Sequence, residues 1–355
     1  MNVNEMPEIG KISPAIFNEL IFPRLGAKSE KVLVGPQHGV DVGIVEIGDK
    51  AVSFTTDPVF IVPEYGWERA AWFAIHILAS DAVTCGLKPK FLSIDLNLPM
   101  EMTKEQLEMM WETMHRECER LGISVICGHT ARYENCHYPM VGGATIIGIG
   151  EKDEYVTPLL AKAGDKIIIT KGPAIEATGI FATMFPQLIE KKFGREFSEK
   201  AGQIFYEMSV VEDAMTAVGV GVREDGVTAM HDATECGVWG GLYELAQAAN
   251  LGVRVEKGKI IVEDCVSEIC NYFGIDPYAS ISEGTLIIAC REHKTDQIVK
   301  ALSQKGIKSS VVGELTEPDK GMVLVSQGRE GKLEHPIVDP FWRAFYNTLK
   351  KYGSE

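Results

Sequence analysis

Neither common phosphate-binding signature is present. No Gly-x4-Gly-Lys-Ser/Thr loop occurs and no Gly-x-Gly-x-x-Gly follows a strand-like run, which excludes P-loop and Rossmann-type nucleotide binding. A Gly-x-Ser-x-Gly nucleophile elbow is also missing, and with it hydrolase chemistry of the serine type. Basic charge is scarce: 35 Lys plus Arg face 50 Asp plus Glu, and the resulting net charge of −15 would repel nucleic acid and anionic membrane alike. The eight cysteines show no short paired spacing, so a disulfide scaffold is excluded. The most membrane-like stretch, residues 70–87, is interrupted by His76, Ser80, Asp81, Thr84 and Gly86, and fits a core helix rather than a span. The first residues lack a basic segment followed by an apolar one, so no leader peptide is expected and a cytoplasmic, thiol-reduced location follows.

The 355 residues are 45% apolar and 24% charged, which is a globular composition with enough chain for two domains. Ser13-Pro14 opens a first helix, and strand-like runs at 41–47 and 51–56 form a hairpin. A helix at 67–85, a strand at 90–98, a helix at 103–121 and strands at 123–127 and 139–149 complete the first half. The polar, proline-containing segment 151–164 marks a boundary. Beyond it come a strand at 166–170, a helix at 174–185 and a charged helical hairpin at 186–218. Further strands are expected near 227–230, 253–262, 284–290, 309–314 and 322–326, with helices at 238–250, 263–273, 294–304 and 340–351. The expectation is an α+β chain with a first domain over residues 1–155, a second over 156–335 and an amphipathic helix within 336–355.

Asp81 is the sharpest anomaly, because it is the only charged residue between Arg69 and Lys88 and lies on a helix face with Trp67, Ala70, Ala74, Leu78 and Cys85. A carboxylate there must be neutralised, hydrogen-bonded or bound to a cation. Asp57, after Thr55-Thr56, and Asp41, in Gly39-Val40-Asp41, are expected at strand ends, where carboxylates beside hydroxyls and glycines suit Mg²⁺ or Mn²⁺. His38, His129 and His231 are expected in loops, and imidazole beside carboxylate shifts the preference toward Mn²⁺. Cys127, His129, Cys136 and His137 lack the spacing of a zinc site.

These segments, taken in order, resemble the aminoimidazole ribonucleotide synthetase superfamily. The matching stretches are Gly10-Lys11, Gly39-Val40-Asp41, Thr55-Thr56-Asp57-Pro58, Ser80-Asp81-Ala82-Val83 and Cys127-Gly128-His129-Thr130, followed by Gly164-Asp165, His231-Asp232-Ala233-Thr234-Glu235 and Ser282-Glu283-Gly284-Thr285. Within that superfamily the similarity is greatest to the hydrogenase maturation factors that use ATP to dehydrate a carbamoylated cysteine, with selenophosphate synthetase and thiamine monophosphate kinase as further relatives. The resemblance implies a two-domain protomer whose first domains pair into a shared β-barrel in a homodimer, with an α/β sandwich-type second domain. It implies ATP in the groove between the domains, with metal ions on Asp41, Asp57 and Asp81, joined by His38 and Glu176. Lys11, Thr56, Thr130, Asp232 and Glu283 then fall among nucleotide or substrate contacts, and His129, His231 and Glu235 among groups that position a reactant or shuttle a proton.

Three departures touch the nucleotide-metal shell. Val40 stands in the family's paired acid, Ser80 replaces an Asn, and His129 replaces the acid of a Gly-Asp-Thr motif. The last cysteine is Cys290, so the acceptor thiol that the maturation factor carries on its tail is not matched. The expectation drawn from a metal shell without an acceptor is a Mn²⁺- or Mg²⁺-dependent phosphohydrolase acting on a nucleotide or small phosphorylated substrate. The alternatives are an ATP-dependent synthetase or kinase for a small metabolite, and an assembly factor that keeps the ATP-binding fold without catalysis.

Overall fold

In the computed structural model, residues 12–352 are described and form two mixed sheets flanked by helices. The first sheet contains β1 (Val32–Val34), β2 (Gly43–Ile47), β3 (Lys50–Phe60), β4 (Pro89–Leu98), β5 (Ser124–Arg132) and β6 (Met140–Glu151), in the order β1-β2-β3-β6-β4-β5. All its pairings are antiparallel except β4 with β5. The second contains β7 (Lys166–Thr170), β8 (Val227–Asp232), β9 (Gly252–Glu256), β10 (Leu286–Cys290), β11 (Ser309–Thr316), β12 (Met322–Ser326) and β13 (Arg329–Lys332), in the order β13-β12-β9-β11-β7-β10-β8.

Local chemistry accounts for much of this. Ser13 caps the first turn by accepting the Ile16 N–H at 3.3 Å. Thr103 and Gln106 form a reciprocal capping box on the helix Lys104–Leu121, which Gly122 closes in the left-handed conformation. The Gly48-Asp49 turn joins β2 to β3 with Ile47 opposite Lys50. Differences lie at element ends. β3 continues to Phe60, so Asp57 sits inside a strand opposite Ala144 rather than at its end. β5 continues to Arg132 and β8 to Asp232, which places His129 and His231 in strands, not loops. The expected helical hairpin at 186–218 is three helices, Pro186–Phe193, Arg195–Gln203 and Val211–Val218, because Gly194 and the Ile204–Glu207 turn break it.

The helix Trp67–Val83 is the centre of the molecule. It packs on β3, β6 and the helix Lys104–Leu121 on one side and on the helix Val211–Val218 and β8 on the other. Being covered all round, it is apolar from Ala70 to Val83 except at His76, Ser80 and Asp81. The main core accordingly draws Ile75, Leu78 and Leu92 from the first half and Phe181, Phe205, Ile269 and Phe341 from the second. Among the described residues no helix is long and apolar enough to cross a membrane.

Candidate active site

Four elements bring acids together where the two sheets meet. Asp41 precedes β2, its carbonyl accepting the Thr55 hydroxyl at 3.0 Å. Asp57 comes from β3, Asp81 from the last turn of the helix Trp67–Val83, and His231 and Asp232 end the edge strand β8. The Asp81 carboxyl lies beside those of Asp57 and Asp232. Burial, then the charges of Asp232, Asp57 and Asp41, raise the Asp81 carboxyl well above the ordinary range. Asp232 is pushed up to about 6 by burial and by Asp41. Its Oδ2 is buried without a hydrogen-bond partner.

His231 does not approach the acids as a free imidazole. Its Nδ1 meets Asp41 Oδ2 at 2.9 Å and its Nε2 meets Glu244 Oε2 at 3.0 Å. Burial pulls its pKa down, but Asp41 and Glu244 outweigh that and raise it well above the usual imidazole value. The ring is thereby fixed in place between the two carboxylates. Asp41, His231 and Asp232 place ligand atoms within 4.8 Å of one another. The Asp41 and Asp232 carboxylates, with Asp232 Oδ2 lacking a hydrogen-bond partner, fit a hard divalent cation.

Gly39 makes this meeting possible. It has φ +73°, and a Cβ there would lie 2.6 Å from the Glu244 carbonyl oxygen, so the loop that carries Asp41 rests directly on the helix Gly237–Ala248. His38, on the same loop, packs edge-on against Phe17 and has its Nε2 buried without a hydrogen-bond partner.

A second set of acids continues from Asp232. Three loops are stitched together: the Ala177 N–H donates to the Ile281 carbonyl, the Ser282 N–H to the Thr234 carbonyl and the Thr285 hydroxyl to the Gly172 carbonyl. Glu235 and Glu283 lie on two of these loops, and Glu176 in the first turn of the helix Ile175–Met184 that follows the third. Glu283 is fully buried, gives its N–H to Glu176 Oε2 at 3.0 Å and leaves its own Oε2 without a partner. Burial, with Asp232 and Glu176 beside it, drives the Glu283 carboxyl well up. Burial likewise lifts Glu176 to about 8, with Asp339 and Glu235 contributing. Asp339, buried, accepts the Cys236 N–H at 2.7 Å and the Phe341 N–H at 2.8 Å, tying the final helix Pro340–Tyr352 to the loop that bears Glu235.

Other expected site residues lie elsewhere. Thr56 points to the opposite face of the first sheet from Thr55 and Asp57, with its hydroxyl 2.8 Å from that of Thr145. His129 and Thr130 are exposed on the outer strand β5, three strands from β3, and His129 Nε2 meets the Tyr133 hydroxyl at 2.9 Å. A single protomer does not bring these three to the acids. Lys11 lies outside the described residues. Two residues absent from the sequence reading, Glu244 and Asp339, hold the site together. Glu244 had a signal of the same kind as Asp81, being the only charged residue between Glu235 and Arg254; Asp339 had the Asp-Pro signature of a helix start.

Comparison with known proteins covers most of the chain. Residues 39–150 match the AIR synthase related protein N-terminal domain, and residues 162–326 match the corresponding C-terminal domain. A putative hydrogenase expression/formation protein of Methanocaldococcus jannaschii is 23% identical over 94% of this chain and 96% of its own length. Carbamoyl dehydratase HypE of Escherichia coli is 25% identical over 84% and 86%. Selenide, water dikinase of Carboxydothermus hydrogenoformans is 26% identical over 89% and 95%. Among solved structures, AaThiL complexed with AMPPCP and TMP shares the fold with a TM-score of 0.65 at 19% identity, over 85% of this chain and 89% of that one. Hydrogenase maturation protein HypE in complex with ATP does so with a TM-score of 0.62 at 18% identity, over 94% and 97%. The phosphohydrolase expectation is corrected by these relatives, whose names are those of a dehydratase and a dikinase and whose structures hold ATP or AMPPCP. Both domain models fall in order on the two sheets whose junction gathers the acids, and the chain belongs to the AIR synthase-related family.

Proposed function

We propose that this protein is an ATP-dependent enzyme that activates an oxygen atom of a small acceptor molecule by phosphoryl transfer, as a synthetase, kinase or dehydratase does. The observation that carries this is the cluster of Asp41, Asp57, Asp81 and Asp232 at the junction of the two sheets, in which a buried oxygen of Asp232 has no hydrogen-bond partner among the described residues. Asp41, Asp57, Asp81 and Asp232 would hold Mg²⁺ or Mn²⁺, which supplies Lewis-acid neutralisation of the ATP phosphates. Asp57 and Asp41 fix the first-half side of the cleft. His231, locked between Asp41 and Glu244, keeps Asp41 oriented, and Glu235 and Glu283 face the acceptor. Two domains divided within 151–164 form the cleft, and we assign the exposed edge at β5 to pairing of two copies. That pairing is also the way His129, Thr130 and Thr56 reach a nucleotide, since each lies on the exposed edge or outer face of the first sheet.

ATP consumption and AMPPCP binding test the reading. Full-length protein with Mg²⁺ is expected to bind AMPPCP and to form ADP or AMP only when an acceptor-containing metabolite pool is added, and Asp57→Asn is expected to reduce turnover at least about 100-fold with unchanged circular dichroism. Failure to bind AMPPCP with either metal, or ATP turnover indifferent to Asp57→Asn, would overturn it.

A further inference from the structure

The acidic cluster depends on groups behind it, and two of these are held by a segment past residue 326, where the match to the family's C-terminal domain ends. Leu333 begins that segment, buried in the core of the second sheet with its N–H donating to the Met322 carbonyl at 2.9 Å. Phe341 ends it, fully buried against Phe181 in the core shared by the two halves. Between these anchors Ile337 and Val338 are exposed, while His335 and Asp339 on either side turn inward.

His335 Nδ1 accepts the Ile337 N–H at 3.0 Å. A ring nitrogen that accepts carries no proton, so the hydrogen of this imidazole is on Nε2. Nε2 lies 3.5 Å from Glu244 Oε1, and the ring stands edge-on to Tyr243, one position earlier on the helix Gly237–Ala248. Glu244 presents its other oxygen, Oε2, to His231 Nε2 at 3.0 Å, and His231 Nδ1 meets Asp41 Oδ2 at 2.9 Å. His335, Glu244, His231 and Asp41 thus form a continuous series from a partly exposed loop to the candidate metal ligands. A glutamate held at both oxygens has fewer rotamers open to it, and orients its histidine partner more firmly, than one held at a single oxygen. Gly240 leaves room for this arrangement, since a Cβ there would lie 2.8 Å from Cys236 Cβ and 3.5 Å from His335 Nε2.

Asp339 acts on the other flank. Its Oδ2 accepts the Cys236 N–H at 2.7 Å and its Oδ1 the Phe341 N–H at 2.8 Å, so one buried carboxylate joins the final helix to the loop that follows Asp232. Cys236 has φ +64°, a conformation that residues other than glycine rarely adopt and that persists only where its surroundings hold it. The bond to Asp339 is one such hold.

We propose that residues 333–341 form a clasp in which His335 and Asp339 are positioning residues for the metal site: His335 sets Glu244, and through it His231 and Asp41, while Asp339 sets the loop after Asp232. The inference rests on the metal-dependent reading above and adds to it that docking of a segment outside the matched domain holds the ligands in place. His335 and Asp339 act through Glu244 and the Cys236 N–H, without contact to metal or nucleotide.

Mn²⁺ titration of the full-length protein by electron paramagnetic resonance, with the ring ¹⁵N signals of His231 recorded on the metal-free protein, tests the clasp. His335→Ala is expected to weaken Mn²⁺ binding about tenfold with unchanged circular dichroism, and His335→Gln, whose amide still donates to Glu244, to stay within about threefold of wild type. In a Glu244→Gln background His335→Ala should add no further loss, because its effect passes through Glu244. Asp339→Asn, with one carboxylate oxygen replaced by a donor, should speed amide exchange at Cys236 and weaken Mn²⁺ binding by a similar factor. Unchanged affinity in His335→Ala, an equal loss in His335→Gln, or a loss that adds to that of Glu244→Gln overturns the clasp. If the wild type binds no Mn²⁺, the metal reading falls and the His231 signals decide the rest: the clasp stands if His335→Ala shifts them and falls if it does not. His335 is partly exposed, so its variants report even if Asp339→Asn fails to fold.

Discussion

Single residues in this protein are constrained chiefly by what surrounds their charge. Asp81 stood out in the sequence as a lone acid in an apolar helix, and the structure accounts for it by placing Asp57 and Asp232 against it. Glu244 answers to the same logic but serves a histidine instead of an acid. Glu244→Gln should leave His231 with one ionic partner and lower Mn²⁺ affinity about 10- to 100-fold, read by electron paramagnetic resonance titration, with the fold retained. His76 shows the opposite sign. Burial, first, and the nearby Arg120 lower its pKa despite its hydrogen bond to Glu117 at 3.1 Å, while Nδ1 meets the Ser209 hydroxyl at 2.7 Å. A histidine with a depressed folded pKa contributes stability that is complete above the unfolded value of 6.5 and is lost as pH falls below it. Denaturant midpoints should therefore drop between pH 7 and 5, at about those bounds, and His76→Gln should flatten that slope relative to wild type. No sequence pattern signalled this pairing, because Glu117 and Ser209 lie 41 and 133 positions away.

At the scale of elements, most helices and strands followed from periodicity and caps, and the misses share a cause. β3, β5 and β8 each run past their expected ends because ladder pairing with a neighbouring strand sustains an extended chain through polar residues: Thr56 to Pro58 against β6, His129 to Arg132 against β4, and His231 and Asp232 against β10. Local composition cannot report a partner strand remote in sequence. The loop at Gly39 is the element on which the site depends, since it alone carries Asp41 across to the helix Gly237–Ala248. Gly39→Ala should cost about 1–3 kcal/mol in unfolding free energy, from its positive φ and from contact with backbone that cannot move aside. It should also impair AMPPCP binding more than Asp57-independent properties such as secondary structure. Calorimetry on the variant measures both, and wild-type values in both would show that the loop does not control the site.

For the whole molecule, two features stand out: a core shared between the halves, through the helix Trp67–Val83, and an uncovered edge at β5. Val125 and Ile126 are 43% and 54% exposed there, with Trp111 beside Val125 on the neighbouring helix, an exposed apolar surface on an edge strand that invites a second copy. Ile126→Lys is expected to shift the protein from dimer to monomer in light scattering after gel filtration, and to abolish ATP turnover if His129 and Thr130 act across the pair; a wild type that is already monomeric would overturn this. The sequence by itself determined the α+β class, the family, the excess of acid and the identity of the anomalous carboxylates, because these depend on residue types, local periodicity and motif order. Only the tertiary structure decided which acids lie against one another, that His231 is clamped by Glu244, that Glu283 is buried with an oxygen lacking a hydrogen-bond partner, and that Thr56 and His129 point away. Those outcomes depend on distances between residues far apart in the chain, and desolvation and charge coupling arise only once such residues are packed against one another.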